Sequence, residues 1–142
     1  MTGLPVGLGA PDFDRNAETL FARQLFAIPA IKGLEFGDGF GLAQMRGSRA
    51  NDPWRMEGER PVTATNHNGG ILGGITTGMP VVFRVAVKPT PSIAQTQNTI
   101  DMNTHAETQI EITGRHDPCI VHRAVPVVEA AAALAAVELM KL

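Results

Sequence analysis

The C-terminal run from Pro126 to Leu142 constrains the fold more than any other part of the sequence. It consists mainly of Ala, Leu, Val and Met, and it is interrupted by Glu129 and Glu138. These apolar types favour helix, and a proline fits the first helical turn because its missing N–H would be unpaired there anyway. A helix that is apolar on most sides must be buried. We therefore predict a mostly buried helix over 126–142, too interrupted by charge to span a membrane.

The preceding segments show one further helix pattern and two clear strand patterns. Apolar side chains at helical spacing predict a helix from about Asp12, its N-cap, to Ala27, and Pro29 ends it. The segment "AIKGLEFGDGF" predicts a short strand followed by a glycine turn. The segment "VVFRVAVK" predicts a buried strand in which Arg84 must be paired or lie at an edge. A helix, then strands, then a helix indicates an α+β domain.

Three other segments are less regular. The alternation in "IDMNTHAETQIEIT" predicts one strand, or a hairpin, with a solvated face. Its apolar face would carry Ile100, Met102, Ala106, Ile110 and Ile112. The polar stretch 48–60, with Trp54 among charges, predicts a surface loop. The glycines of "NHNGGILGGITTGMP" indicate that backbone approaches another strand or a ligand closely, and close strand packing is the favoured interpretation.

Composition excludes several classes of function. A chain of 142 residues fits one domain or a piece of one. Because 12 Lys and Arg stand against 14 Asp and Glu, no basic footprint predicts binding to nucleic acid or to an anionic membrane. The single cysteine excludes an intramolecular disulfide and suits a reducing compartment. With no secretory pattern after Met1, we expect a soluble, cytoplasmic protein.

The segment "GRHDPC", from Gly114 to Cys119, has two interpretations. Asp117 could cap the following segment from a solvated turn, or it could be a carboxylate beside a fixed cation, poised to accept a proton. Spacing alone does not decide between them. We interpret Cys119 as a small buried residue rather than a nucleophile. The four histidines lie on separate segments, so no metal site is expected.

Two further segments are candidates for phosphate or nucleotide binding. In "KPTPS", Lys88 leaves a strand and enters a hydroxyl-rich loop, which is equally consistent with a phosphate cradle and with a solvated loop. The glycines of "GGILGG" lack the spacing of a P-loop or of a dinucleotide-binding fingerprint. Their value as a nucleotide motif is therefore weak.

Together and in this order, these segments resemble the chorismate synthase family. The matching segments cover nearly the whole chain and are "GLPVGLGAPDFD", "IPAIKGLEFGDGF", "MRGS", "NHNGGILGGITTGMPVVFRVAVKPTPSI" and "GRHDPCIVHRAVPVVEA". The last, matching from Arg115 through Glu129, is similar to the C-terminal signature of the family. Each motif is modest by itself, but the set is very specific.

The resemblance implies a fold and an incomplete chain. Family members form a β-α-β sandwich from two similar halves, with antiparallel strands packed on helices, and assemble as homotetramers. Residues 1–142 would be a single-domain C-terminal fragment, about the second half of that length. The missing N-terminal half carries the two histidines regarded as catalytic, so we expect the fragment to be inactive alone. Its C-terminal helix would expose apolar surface that favours self-association.

The resemblance also implies an activity. The family converts 5-enolpyruvylshikimate 3-phosphate to chorismate and phosphate by anti-1,4-elimination, a step of the shikimate pathway to the aromatic amino acids. This lyase reaction requires reduced FMN without net redox change, and in some members NADPH is the source of reducing equivalents. A different class of function is an alternative: a non-catalytic module, derived from the family, for flavin-phosphate binding or assembly.

By resemblance, Asp117 is the carboxylate that controls protonation beside the flavin. The residues implied to contact FMN are Ala30, Gly73, Lys88, Pro89, Thr90, Pro91, Ser92 and Arg115. Pro29 stands where members often have Asn, so a side-chain contact is not expected there. From charge alone, Arg46 and Arg84 are candidates to assist an anionic substrate.

Overall fold

The computed structural model describes residues 1–141 and contains three α-helices, a 3-10 helix and nine strands within that range. The α-helices are α1 (Ala17–Phe26), α2 (Gly47–Ala50) and α3 (Val121–Leu139), and the 3-10 helix spans Gly39–Gln44. The strands are β1 (Val6–Gly9), β2 (Ile31–Phe36), β3 (Trp54–Glu57), β4 (Arg60–Thr63), β5 (Ile71–Leu72), β6 (Ile75–Thr77), β7 (Phe83–Val87), β8 (Gln97–Asp101) and β9 (Ala106–Ile110). They pair antiparallel as β1-β6-β5, β2-β7, β3-β4 and β8-β9. The predicted α+β class is confirmed.

The core forms where α1 meets α3 and the β2-β7 pair. Phe21 is fully buried, and its ring lies 6.2 Å from that of Phe36 and 6.1 Å from that of Phe83. The face that α3 turns inward is made almost entirely of alanine: Ala131, Ala132, Ala135, Ala136 and Leu139. These small side chains let the backbones of α1 and α3 approach closely. Helix α1 thus packs against α3 on one side and against strands on the other.

Helix α1 begins later than predicted. Asn16 is the N-cap, and its side chain accepts a hydrogen bond from the amide of Thr19 at 3.3 Å. Asp12 instead closes a separate turn, accepting from the Arg15 amide at 2.7 Å. The predicted N-cap was therefore wrong, and Phe13, which falls inside the predicted helix, precedes α1 and is 94% exposed.

Helix α3 is longer than predicted and only partly buried. It begins at Val121, so Pro126 lies inside the helix rather than at its start. The face opposite the alanines is apolar and exposed, with Leu134 at 60% and Val137 at 44%. The prediction of a mostly buried helix was wrong for that face, because no other element of residues 1–141 covers it.

Two segments form hairpins: one was predicted as a loop, and the other as one strand or a hairpin. The predicted loop 48–60 contains α2 and the start of the β3-β4 hairpin, whose polar, exposed side chains hid the strand pattern. In the β8-β9 hairpin, Ile100 lies opposite Glu107, whereas Ile110 lies opposite Gln97. Directly opposite residues share a face, and Gln97 and Ile100, three residues apart on one strand, point to opposite faces. The two isoleucines therefore face opposite sides, and both are exposed, so the single apolar face predicted here was wrong.

Strand β7 is half-buried rather than fully buried. Its side chains alternate between partly buried and exposed, and Arg84 is on the exposed face. There the Arg84 Nε lies 2.8 Å from Glu35 Oε1 on the neighbouring strand β2. The prediction that Arg84 is paired or lies at an edge is confirmed, because it pairs with Glu35 and β7 belongs to a two-stranded sheet.

The glycine stretch packs closely against backbone, as favoured above. A Cβ on Gly70 would lie 2.6 Å from the Pro80 carbonyl oxygen, and one on Gly74 would lie 2.6 Å from that of Ala10. Both glycines also have positive φ angles, 83° at each position. Gly73 differs, because nothing lies within 4 Å of the position of its missing Cβ.

A buried carboxylate joins the end of α2 to the segment before the glycines. Asp52 is 3% exposed and accepts hydrogen bonds from the amides of His67 and Asn68, the Asn68 side chain and the Thr65 hydroxyl, at 2.7 to 2.9 Å. Burial alone would raise the pKa of Asp52. The hydrogen bonds, led by those from Asn68, outweigh it and hold the pKa below the ordinary value of 3.8.

Two leucines on α3 test which face of this helix is buried. We expect Leu139→Ala to lower the free energy of unfolding by about 2–5 kcal/mol, because Leu139 is 1% exposed and its removal leaves a cavity. The control, Leu134→Ala, is expected to change it by less than about 0.5 kcal/mol. Urea unfolding followed by circular dichroism measures both. Equal losses would contradict this packing.

The hydrogen bonds to Asp52 predict an acid-dependent stability. Asp52→Asn places an amide N–H₂ against donors from Asn68, so we expect a loss of about 2 kcal/mol at neutral pH. Because the folded pKa is depressed, this contribution is complete above about pH 5 and is lost as the pH falls through the folded pKa. The deficit of the variant relative to the parent should therefore shrink below pH 3.8. Asp14→Asn, an exposed control, should show no deficit at either pH.

Candidate functional site

Ala30 and the "KPTPS" loop lie side by side at one end of the β2-β7 pair. Ile31 and Val87 are the last paired residues there, and beyond them the Lys88 amide donates to the Ala30 carbonyl at 2.7 Å. Ala30 has a φ of 72°, a left-handed conformation that costs a non-glycine residue about 1–2 kcal/mol. Residues 88–92 have no regular structure, and the Lys88 side chain is exposed. The strand end thus presents an ammonium group beside a strained backbone turn.

The β8-β9 hairpin brings the "KPTPS" loop towards the "GRHDPC" segment. Gln97, the first residue of β8, pairs with Ile110, and its side chain donates to the Pro91 carbonyl at 3.0 Å. At the same end, the Thr96 hydroxyl donates to the Glu111 carboxylate at 3.3 Å. Residues 92 and 115 are each only four residues from this pair of contacts. Two segments that are far apart in sequence therefore leave the base of one hairpin.

Asp117 lies beside a cation, but not the one adjacent in sequence. Its Oδ2 is 2.9 Å from Nη1 of Arg123, in the first turn of α3. Ile120 is the N-cap of that helix and makes no side-chain capping bond, so the interpretation of Asp117 as a cap finds no support. Arg115 is exposed and forms no ion pair within the described range 1–141. The partner Arg123 was missed, although it stands in the same motif, six positions after Asp117.

The remaining side chains of this segment differ in accessibility. His116 is half-buried, and its Nε2 lies 3.1 Å from the Ile112 carbonyl. Cys119 is exposed, so its assignment as a buried residue was wrong. The physical reason is that residues 111–120 are irregular and pack only loosely before α3 begins.

Gly73 lies apart from the other predicted contacts. The neighbouring Gly74 carbonyl accepts from the amide of Ala17, the first residue of α1, at 2.8 Å. Ala30 instead follows the C-terminal end of the same helix. Ten helical residues span about 15 Å. The structure therefore brings together Ala30 and the loop 88–92, connects that loop to the start of the segment leading to residues 115–117 through the hairpin base, and leaves Gly73 at the far end of α1.

Within residues 1–141, no three His, Cys, Asp or Glu side chains converge as they would around a metal ion. None of the helices in that range combines the length and apolarity needed to cross a membrane.

Comparisons with known proteins agree on one family. A family model described as Chorismate synthase matches residues 1–141. A chorismate synthase of Dehalococcoides mccartyi is 57% identical over 127 residues, covering 89% of this chain and 35% of that protein. One of Methanocella arvoryzae is 53% identical over 139 residues, covering 98% of this chain and 37% of that protein.

A solved structure extends the agreement to the fold. A crystal structure of chorismate synthase superposes with a TM-score of 0.76 at 32% identity, covering 97% of this chain and 34% of that one. The chain thus spans about a third of the length of these relatives, less than the half expected from its motifs. Because the match extends over nearly every described residue, in sequence and in fold, the chain belongs to the chorismate synthase family.

Proposed function

We propose that this chain is the FMN-contacting part of a chorismate synthase, a lyase that eliminates phosphate from 5-enolpyruvylshikimate 3-phosphate. The observation that supports the proposal is a chain of hydrogen bonds that links, through the hairpin base, three segments implied by the family resemblance. Ala30 is bonded to Lys88, and the loop that follows Lys88 is tied through Gln97 to the strand leading to Asp117. The assembled enzyme would be a cytoplasmic homotetramer.

The loop 88–92 suits the phosphate end of FMN. Lys88 forms no ion pair within residues 1–141, so its ammonium is available to an anion. The hydroxyls of Thr90 and Ser92 add neutral donors on the same short loop, and Pro89 and Pro91 restrict its backbone. Arg115 supplies a second cation from the neighbouring segment. These groups together could neutralise a phosphate dianion.

The open position of Gly73 suits a flat ring. Nothing lies within 4 Å of its missing Cβ, and its φ of 57° is one that glycine adopts without strain. Its separation from the loop 88–92 along α1 fits an elongated ligand with a phosphate at one end and a ring system at the other. When bound, the reduced flavin would supply electron density to the substrate, and NADPH is a candidate source of its reducing equivalents.

Asp117 is the residue proposed to handle the proton. The elimination breaks the C–O bond to phosphate and a ring C–H bond, and the phosphate leaves with the electron pair as a new C=C bond forms. The ion pair with Arg123 orients the Asp117 carboxylate through Oδ2. Oδ1 has no hydrogen-bond partner within residues 1–141 and remains able to accept a proton near the flavin. Asp117 is partly exposed, so closure of the site would require the rest of the enzyme.

The first test of the proposal is flavin binding by this chain. We expect FMN to bind more tightly than riboflavin, and Lys88→Ala to weaken FMN binding about tenfold or more while leaving riboflavin binding unchanged, because only FMN carries the phosphate. Fluorescence titration measures both. Lys32→Ala, which removes an exposed lysine from β2, is the matched control. Equal affinities of parent and Lys88→Ala for FMN would remove the loop from the proposed site.

The second test concerns the chemistry. With reduced FMN and 5-enolpyruvylshikimate 3-phosphate under anaerobic conditions, we expect no chorismate from this chain alone, and activity once the missing portion is added in trans. In the complemented enzyme, Asp117→Asn should lower kcat about 10²-fold or more with little change in FMN affinity, as for loss of a general base. Glu107→Gln, which changes an exposed carboxylate on β9, is the matched control and should retain kcat. Activity of the chain alone would contradict the assignment, as would full turnover by Asp117→Asn.

The alternative is a non-catalytic module that binds flavin phosphate or serves assembly. The observation in its favour is that Ala30 and the loop after Lys88 meet within this chain, through the hydrogen bond from the Lys88 amide to the Ala30 carbonyl. Saturable FMN binding with a stable closed oligomer, and no gain of activity on addition of the missing portion, would support it.

A further inference from the structure

A pocket lined by two arginines lies outside the residues proposed for the flavin. It has a volume of about 300 Å³ and is lined by Gln44, Met45, Arg46, Arg49 and His67. None of the residues implied to contact FMN, and none proposed for proton transfer, is among them. The pocket therefore needs an explanation of its own.

The two arginines lie one turn apart, line the same pocket and have no acidic partner within residues 1–141. Arg46 is the N-cap of α2, and the Arg49 amide donates to its carbonyl at 2.8 Å, so the two residues are one turn apart. Five arginines in the described chain have carboxylate partners: Arg15, Arg23, Arg55, Arg84 and Arg123. Arg46 and Arg49 have none within residues 1–141. Two neighbouring unpaired guanidinium groups repel each other, and an anion between them would relieve that repulsion.

His67 is fixed on another side of the pocket. Its Nδ1 lies 2.5 Å from Asp38 Oδ2, its amide donates to Asp52 at 2.7 Å, and its carbonyl accepts from the Asp38 amide at 2.8 Å. With Nδ1–H donating to Asp38, the neutral imidazole carries its lone pair on Nε2, which has no partner within the described residues. It can therefore accept a hydrogen bond from a hydroxyl of a ligand.

We propose that Arg46, Arg49 and His67 form a binding site for a phosphate group, either inorganic phosphate or the phosphomonoester of a small metabolite. Guanidinium groups pair with phosphate oxygens through two parallel hydrogen bonds, and Nε2 of His67 accepts from a protonated phosphate oxygen. A volume of about 300 Å³ is at the lower end for ligand pockets, which favours a small phosphorylated molecule over a nucleotide. The site stands independently of the proposed flavin contacts. Of the two arginines that charge alone made candidates for anion binding, only Arg46 belongs to this site, because Arg84 is already paired with Glu35.

The test is a titration of the ¹⁵N-labelled chain with inorganic phosphate at constant ionic strength, followed by NMR. We expect saturable shifts of the amides of residues 46–49 and 67. Arg46→Gln and Arg49→Gln should each weaken this binding about tenfold or more, and Arg49→Lys, which keeps the charge but not the planar fork, should weaken it less. Arg55→Gln, which removes an exposed arginine from β3, is the control and should leave it unchanged.

The same spectra distinguish this site from the flavin loop. Shifts confined to residues 88–92, in a chain whose dispersed spectrum shows that it is folded, would overturn the proposal without affecting the flavin assignment. An affinity at residues 46–49 that neither glutamine variant changes would overturn it as well. A parallel titration with glycerol 3-phosphate shows which source of phosphate binds more tightly, and saturable shifts at residues 46–49 and 67 with either probe support the site.

Discussion

The burial of α1 between the alanine face of α3 and the phenylalanines of the β2-β7 pair is the contact on which the rest of the structure depends. Three of the four sheets in residues 1–141 have only two strands, too few to be stable by themselves. Phe21 and Leu25 supply the apolar surface that the strands and α3 share. Without this apolar surface, the β2-β7 pair would have no helix to pack against. The strand end at Ala30 and Lys88 would then no longer be held in position.

Helix α1 also determines the geometry of the candidate site. The glycine turn is bonded to its N-terminal end through Gly74, and Ala30 follows its C-terminal end. A helix is stiff, so its length fixes how far apart Gly73 and the loop 88–92 can lie. Hydrogen bonds at the base of the β8-β9 hairpin connect that loop to the start of the segment that leads to Asp117. The hydrogen bonds of Asp52 position the proposed phosphate site in a similar way, because they fix the backbone of His67 beside the end of α2.

Much of the fold could be predicted from local patterns. The strand over residues 31–36, the paired Arg84 and the close packing of the glycines each follow from a property of the residue itself: alternation, the cost of an unpaired charge, or the absence of a Cβ. The errors fall where neighbours outweigh such properties. Asp12 is a good N-cap by type, yet it is used by Arg15 in its own turn. The polar 48–60 stretch forms strands because pairing, not burial, stabilises it.

The sequence by itself determined the α+β class, the family and the residue types available for chemistry, because these depend on composition, period and motif. Only the tertiary structure decided which residues meet. It paired Asp117 with Arg123 rather than Arg115, put Ile100 and Ile110 on opposite faces of a hairpin, and left one apolar face of α3 exposed. It also placed Arg46 and Arg49 beside His67, about twenty residues away in sequence. Such contacts depend on how helices and strands pack, and no local pattern of residues encodes the distance between side chains remote in the chain.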